Sequence, residues 1–217
     1  MSIKLNAQSG GSVALDAPTQ TTNSEDKIYK LPIADGTAGQ VLKTDGSGNL
    51  SWVTLPTPGI TEVDLWRMNT GFQLSGSWAH ISSGWERQDH SSAAKIGTGM
   101  SFSNGVFTFP STGKWMILQQ LQLYTGSHEM HYTQTRTRLS TDSGSNYTTI
   151  GYSIGGAASG GAYGSSQNTD FINVTNASTF RILWDAETGI GNESSNYIRG
   201  GTDDNFSTWT FIRLGDI

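Results

Sequence analysis

An all-β fold, a sandwich or barrel of many short strands, is predicted by three features of this sequence. The 217 residues include 27 glycines but only 14% charged residues, against about 25% charged in an average chain. Gly, Ser, Thr and Asn fill that place, and they suit tight turns because Gly tolerates positive φ and the others cap turns with their own side chains. Short alternating segments recur between such turns. No window of useful length carries helical periodicity or a heptad seam.

The same composition excludes whole classes. The glycines follow no Gly-X-Y period. No run approaches the roughly 18 apolar residues of a membrane-spanning helix, and Met1-Ser2-Ile3-Lys4-Leu5-Asn6 lacks the apolar core of a secretion signal. Without cysteine there is no disulfide framework, thiolate metal site or thiolate nucleophile. A net charge of -5 with scattered lysines and arginines disfavours a nucleic-acid partner. Stability must come from packing or association, to which each of the seven Trp, eight Phe and seven Tyr brings roughly 150 to 250 Å² of buriable surface.

Taken in order, residues 1–58 read as an N-terminal module of extended and hairpin structure, and residues 59–217 as a globular domain. Ser12-Val13-Ala14-Leu15 and Lys27-Ile28-Tyr29-Lys30-Leu31 are candidate strands, each ending near Pro18 or Pro32. Gln40–Thr44 and Leu50–Leu55, joined by Asp45-Gly46-Ser47-Gly48-Asn49, read as a β-hairpin. One hairpin is marginal alone in water, so this module is expected to order against other surfaces or other copies. Pro56-Thr57-Pro58-Gly59 marks a linker.

Beyond it, strands are predicted over 70–74, 78–82, 100–103, 106–109, 115–124, 130–139, 147–154, 170–174, 179–184 and 208–214. Ser103-Asn104-Gly105, Pro110-Ser111-Thr112-Gly113 and Asp142-Ser143-Gly144-Ser145-Asn146 supply turns, and the Gly-rich run 155–164 reads as a mobile surface loop. Segment 115–124 is apolar on both faces, with Trp115, Ile117, Leu121 and Leu123 on one and Met116, Leu118 and Tyr124 on the other. A central sandwich strand and a subunit interface both account for this pattern.

Two stretches carry resemblances. Gly11-Ser12-Val13-Ala14-Leu15-Asp16-Ala17-Pro18, with Leu31-Pro32 and residues 35–52 (Asp35-Gly36-Thr37 through Leu50-Ser51-Trp52), resembles an N-terminal module of bacteriophage tail-fibre-like and other virion structural proteins. Phe102-Ser103-Asn104-Gly105-Val106-Phe107-Thr108-Phe109-Pro110, followed by Gly113-Lys114-Trp115, is similar to the entry hairpin of the complement globular-head and tumour-necrosis-factor-like jelly roll. Ser207–Leu214 fits that family's closing strand, while Trp115 stands where the family has Tyr or Phe. The resemblance implies a jelly-roll β-sandwich packed as a homotrimer, and three wound copies would supply the strands that one N-terminal module lacks.

The residue groups that resemble catalytic or metal motifs read as ordinary structure. Asp89-His90-Ser91 has the residue types of a hydrolase triad, but neighbours in an extended segment point to opposite faces. His128-Glu129-Met130-His131 has the wrong spacing for a zinc motif within one chain, although a histidine on a threefold axis could bind metal with its two symmetry mates. Asp142–Asn146 and Thr202–Asn205 are oxygen-rich and could attract Ca²⁺ weakly, but read as turns. Glu62, Asp64, Glu86, Asp89, Asp185 and Glu187 show no spacing that makes a glycosidase pair.

The expectation is therefore a non-enzymatic phage virion protein without cofactor, assembled in the bacterial cytoplasm and displayed on the particle surface. Leu15, Leu31, Val41, Leu42 and Trp52 are candidates for docking on capsid or tail proteins, and Tyr147, Tyr163, Trp85, Asn196 and Tyr197 for contact with a host receptor or glycan. A capsid decoration protein is the alternative, favoured by the shortness of residues 1–58 as a spacer, and a depolymerase-type tail spike is the third. Neither nucleic acid nor membrane insertion is expected.

Overall fold

The computed structural model describes residues 3–6, 12–15, 18, 20–55, 59–126, 130–158, 160–189 and 195–217. The chain divides into two compact units, Met1–Thr57 and Pro58–Ile217. The linker residues Pro56, Thr57 and Pro58 lie outside the described residues, as do His128 and Glu129 of the metal motif.

In the first unit β1 (Ile3–Asn6) pairs antiparallel with β2 (Ser12–Leu15), and β3 (Gln40–Thr44) with β4 (Leu50–Thr54) in the expected hairpin. Its turn is closed by Asp45, whose carboxylate accepts from the Ser47 N–H at 2.8 Å, the Asn49 N–H at 3.1 Å and the Asn49 amide at 2.6 Å. Those bonds, the Asn49 side chain's first, hold the Asp45 carboxyl below its ordinary range. The strand expected at Lys27–Leu31 does not form. Only Lys30 bridges to the hairpin, parallel to Asn49, through bonds to Gly48 and Leu50, and Pro32 then removes the next donor. No described side chain of this unit is buried; Ile28, Tyr29, Leu31 and Ile33 stand in solvent.

The second unit is a sandwich of two antiparallel sheets. One runs in the order β8 (Trp85–Arg87), β5 (Glu62–Met68), β17 (Thr208–Gly215), β11 (Gly113–Thr125), β14 (Tyr163–Val174), with β16 (Asn196–Ile198) and β6 (Phe72–Gln73) continuing from the far end of β11. The other runs β9 (Ser101–Ser103), β10 (Val106–Thr108), β15 (Arg181–Thr188), β12 (Met130–Ser140), β13 (Thr148–Ala157), with β7 (Ala79–His80) beside β15. The chain changes sheet at β10 to β11, β11 to β12, β13 to β14, β14 to β15 and again before β16. That alternation is a jelly roll, as the resemblance at residues 102–117 implied.

Each sheet turns its apolar alternation inward. Trp66, Trp209 and Phe211 from one meet Phe107 and Trp184 from the other, with Trp85 between them. Trp85 lies 4.3 Å from Trp209 and 5.0 Å edge-on from Phe107 between ring centroids, and Phe107 lies 5.2 Å from Phe211. Part of the interior is polar. Gln119 of β11 donates to Thr135 of β12 at 2.9 Å, Thr135 bonds Ser153 of β13 at 2.9 Å, and Ser153 bonds Ser166 of β14 at 3.1 Å.

The expected loop is shorter than the Gly-rich run, since β13 extends to Ala157 and β14 begins at Tyr163, so that both ends of the run are strand. Its glycines let these two strands pass closely: a Cβ at Gly155 would stand 2.4 Å from the Ser165 carbonyl oxygen, and one at Gly164 2.2 Å from that of Gly156. Ser159, at the tip, lies outside the described residues.

Candidate functional site

Register builds a concavity on the sandwich unit. Tyr163 of β14 pairs with Tyr124 of β11, which on its other side pairs with Tyr197 of β16. Three tyrosines from neighbouring strands thus stand in one row, with the rings of Tyr124 and Tyr163 5.1 Å apart. Arg199 follows two residues after Tyr197. Its guanidinium lies 3.5 Å from the Phe206 ring centroid and 5.1 Å from that of Tyr163, and it donates to the Gln122 side chain at 2.9 Å. Gly71 and Gly200 complete the lining of a groove of about 220 Å³. Gly200 must be glycine, because a Cβ there would lie 2.3 Å from the Thr70 backbone.

Of the five receptor-surface candidates, Tyr163 and Tyr197 meet here. Tyr147 does not; it is half-buried in the turn before β13, where Arg138 lies 5.5 Å from its ring. Burial raises the Tyr147 hydroxyl above its ordinary pKa, partly opposed by Arg181 and Arg138. Two candidates are corrected. Trp85 is a core residue, 8% exposed, whose indole donates to the Ile81 carbonyl at 2.7 Å. Asn196 is fully buried where β16 joins β11. Tyr124 and Arg199 were not foreseen, since the three residues of β16 give no strand signal that would place them beside Tyr163.

In the first unit Leu31, Val41, Leu42 and Trp52 are exposed, and Trp52 donates from its indole to the Ala34 carbonyl at 3.0 Å. Leu15 lies on β2, beyond the described side chains.

The sandwich carries two further apolar surfaces. On the outer face of the first sheet, paired registers align Phe171, Met116, Ile212 and Val63 across four strands, with Leu214 beside them. Phe171 is 71% exposed. On β13, Ile150, Tyr152 and Ile154 point outward, Ile154 being 65% exposed.

The carboxylates singled out in sequence are held by partners. Asp64 is buried and accepts from Trp66 at 2.8 Å, from the Met100 N–H at 2.7 Å and from Arg87 at 2.8 and 3.0 Å. Asp185 takes Arg136 at 2.7 Å and Arg138 at 3.2 Å. Glu86 and Asp89 flank Arg67, Glu62 accepts from the Gly99 N–H, and Glu187 from the Gln134 amide. Asp89 therefore faces Arg67 rather than His90, whose Nδ1 accepts from the Ser92 N–H. Asp142 closes its own turn, accepting from Ser140 at 2.7 Å and from the Asn146 N–H and amide at 2.9 and 2.7 Å. These bonds, led by the Asn146 amide, lower its pKa to about 2. Among the described residues no group of three His, Asp or Glu is placed to hold a metal ion.

No protein-family model matches the chain, and no curated protein matches it in sequence. Among solved structures, Eiger TNF from S. frugiperda aligns at 13% identity with a TM-score of 0.49, over 71% of this chain and 93% of that one. Murine APRIL at pH 8.5 aligns at 11% identity with a TM-score of 0.46, over 70% and 98%.

Proposed function

We propose that this chain is a non-enzymatic attachment protein: a homotrimer whose jelly rolls form a receptor- or glycan-binding knob, carried on a phage particle by residues 1–58. The observation that carries the reading is apolar surface left open at two unlike places on one sandwich, the row from Phe171 to Val63 and the stripe Ile150, Tyr152, Ile154. Unlike patches pair head to tail, and head-to-tail contacts that close make rings. The exposed apolar side chains of the first unit, Leu31, Val41, Leu42 and Trp52 among them, support a docking role for it. Its resemblance to virion structural proteins supports the particle, and assembly in the host cytoplasm fits a chain without cysteine. The commitment of Asp64, Asp185, Glu86 and Asp89 to arginines supports a binding role over hydrolysis.

Light scattering of the full chain is expected to give three times 23.3 kDa, and Ile154→Asp to give a folded monomer; a wild-type monomer rejects the reading. Deleting residues 1–58 should leave the knob folded but absent from particles. Copy number decides between tail and head: tens per virion mean a fibre, and hundreds mean capsid decoration.

A further inference from the structure

We infer that the groove formed by Tyr124, Tyr163, Tyr197 and Arg199 binds a single acidic sugar ring, a hexuronic acid of a surface polysaccharide. The inference rests on the attachment reading and gives it a site and a ligand class.

Four properties point to this chemistry. The row Tyr163, Tyr124, Tyr197 presents aromatic carbon edged by phenolic hydroxyls, which suits a ring with one apolar C–H face and a rim of hydroxyls. The groove of about 220 Å³ is smaller than the roughly 300 to 1,000 Å³ of sites for drug-sized ligands, so it takes one ring rather than an extended segment. Among the described residues its lining contains one cation and no carboxylate, although the chain as a whole carries -5.

The fourth property is the state of Arg199. Arg67, Arg87, Arg136, Arg138 and Arg213 each pair with a carboxylate, and Arg181 donates to the Ser178 and Phe180 carbonyls. Among the described residues Arg199 donates to one neutral side chain, that of Gln122, and its guanidinium lies over the Phe206 ring and 5.1 Å from the Tyr163 ring centroid. Stacking fixes the plane of the guanidinium without neutralising it. A planar, pre-oriented fork is suited to a carboxylate. A purely apolar side chain would leave that charge unused, and a lone phosphate would leave three rings unused.

The site is also compatible with a trimer. Tyr124 lies eight residues along β11 from Met116 of the apolar row, roughly 26 Å at about 3.3 Å per residue. Three weak sites on one knob multiply through valency.

The test is an NMR titration of the full chain with methyl β-D-glucuronide and, separately, methyl β-D-glucoside. Shifts are expected at Tyr124, Tyr163 and Tyr197, with the acid bound roughly tenfold more tightly. Arg199→Gln should equalise the two sugars. Tyr163→Ala should abolish both responses and Tyr163→Phe should keep them, without change in melting temperature because Tyr163 is 56% exposed. Equal affinity for acid and neutral sugar in the wild type, no shift with either, or shifts that survive Tyr163→Ala overturn the inference. Adsorption to host cells separates the two levels. If wild type and Tyr163→Ala adsorb equally, the groove is wrong and attachment stands; if wild type does not adsorb, attachment itself fails.

Discussion

The two units draw on the same palette of short strands, glycine turns and aromatics, and reach opposite states of burial. In the first, a hairpin closed by Asp45 and Asn49 is locally well made, yet no described side chain is buried and Trp52 contributes a bond to the Ala34 carbonyl rather than a core. In the second, Trp115, Trp184, Trp209, Phe107 and Phe211 are fully enclosed. Strand pairing alone sets local shape, whereas two facing sheets are needed before apolar area leaves water. The first unit therefore leaves its apolar side chains in solvent, whereas the second encloses its own.

Substitutions should divide along that line. Trp209→Ala removes the ring that meets Trp85 at 4.3 Å, and should cost about 3 to 5 kcal/mol in a denaturant melt. Asp64→Ala should cost about 3 kcal/mol, because it strips the buried hub that orients Trp66, Arg87 and the Met100 backbone; a loss as small as that of a surface carboxylate would show that the hub is dispensable. Trp52→Ala should change the sandwich melt by under about 0.5 kcal/mol while weakening incorporation into particles. An equal loss of stability in Trp52→Ala and Trp209→Ala would erase the contrast between the units.

The smallest effect concerns pH. Asp142 titrates at about 2 in the folded chain, below the ordinary 3.8. A lowered folded pKa means that its contribution is complete above about 4 and fades as pH falls towards 2. The difference in melting temperature between wild type and Asp142→Asn should accordingly be present at neutral pH and vanish over that window. A constant difference down to pH 2 would show that the turn does not depend on the charge.

Much of this architecture was legible because turns announce themselves. Asn104 and Gly105 take positive φ between β9 and β10 as their residue types require, and the central strands lie where alternation placed them. Strand β5 was missed because Asp64 and Arg67 interrupt its apolar pattern, and both are buried through pairing that only the third dimension supplies. The groove was half legible. Tyr163 and Tyr197 could be singled out as aromatic, but their meeting across Tyr124 is a product of register between strands distant in sequence. Trp85 and Asn196 illustrate the converse, since neither residue type declares whether its strand faces in or out.

The hydrogen-bonded layer of Gln119, Thr135, Ser153 and Ser166 has a further consequence, for how the chain folds. A slip of β12 by one residue would bring Gln134 or Arg136 to the place of Thr135, and reversal of inside and outside would follow along the whole strand. Aromatic rings tolerate near misses, since one apolar surface satisfies another at many offsets. Directional bonds do not, and an arginine driven inward finds no counter-charge at that position. The polar layer thus favours the native strand register over its neighbours more sharply than the aromatic rings do.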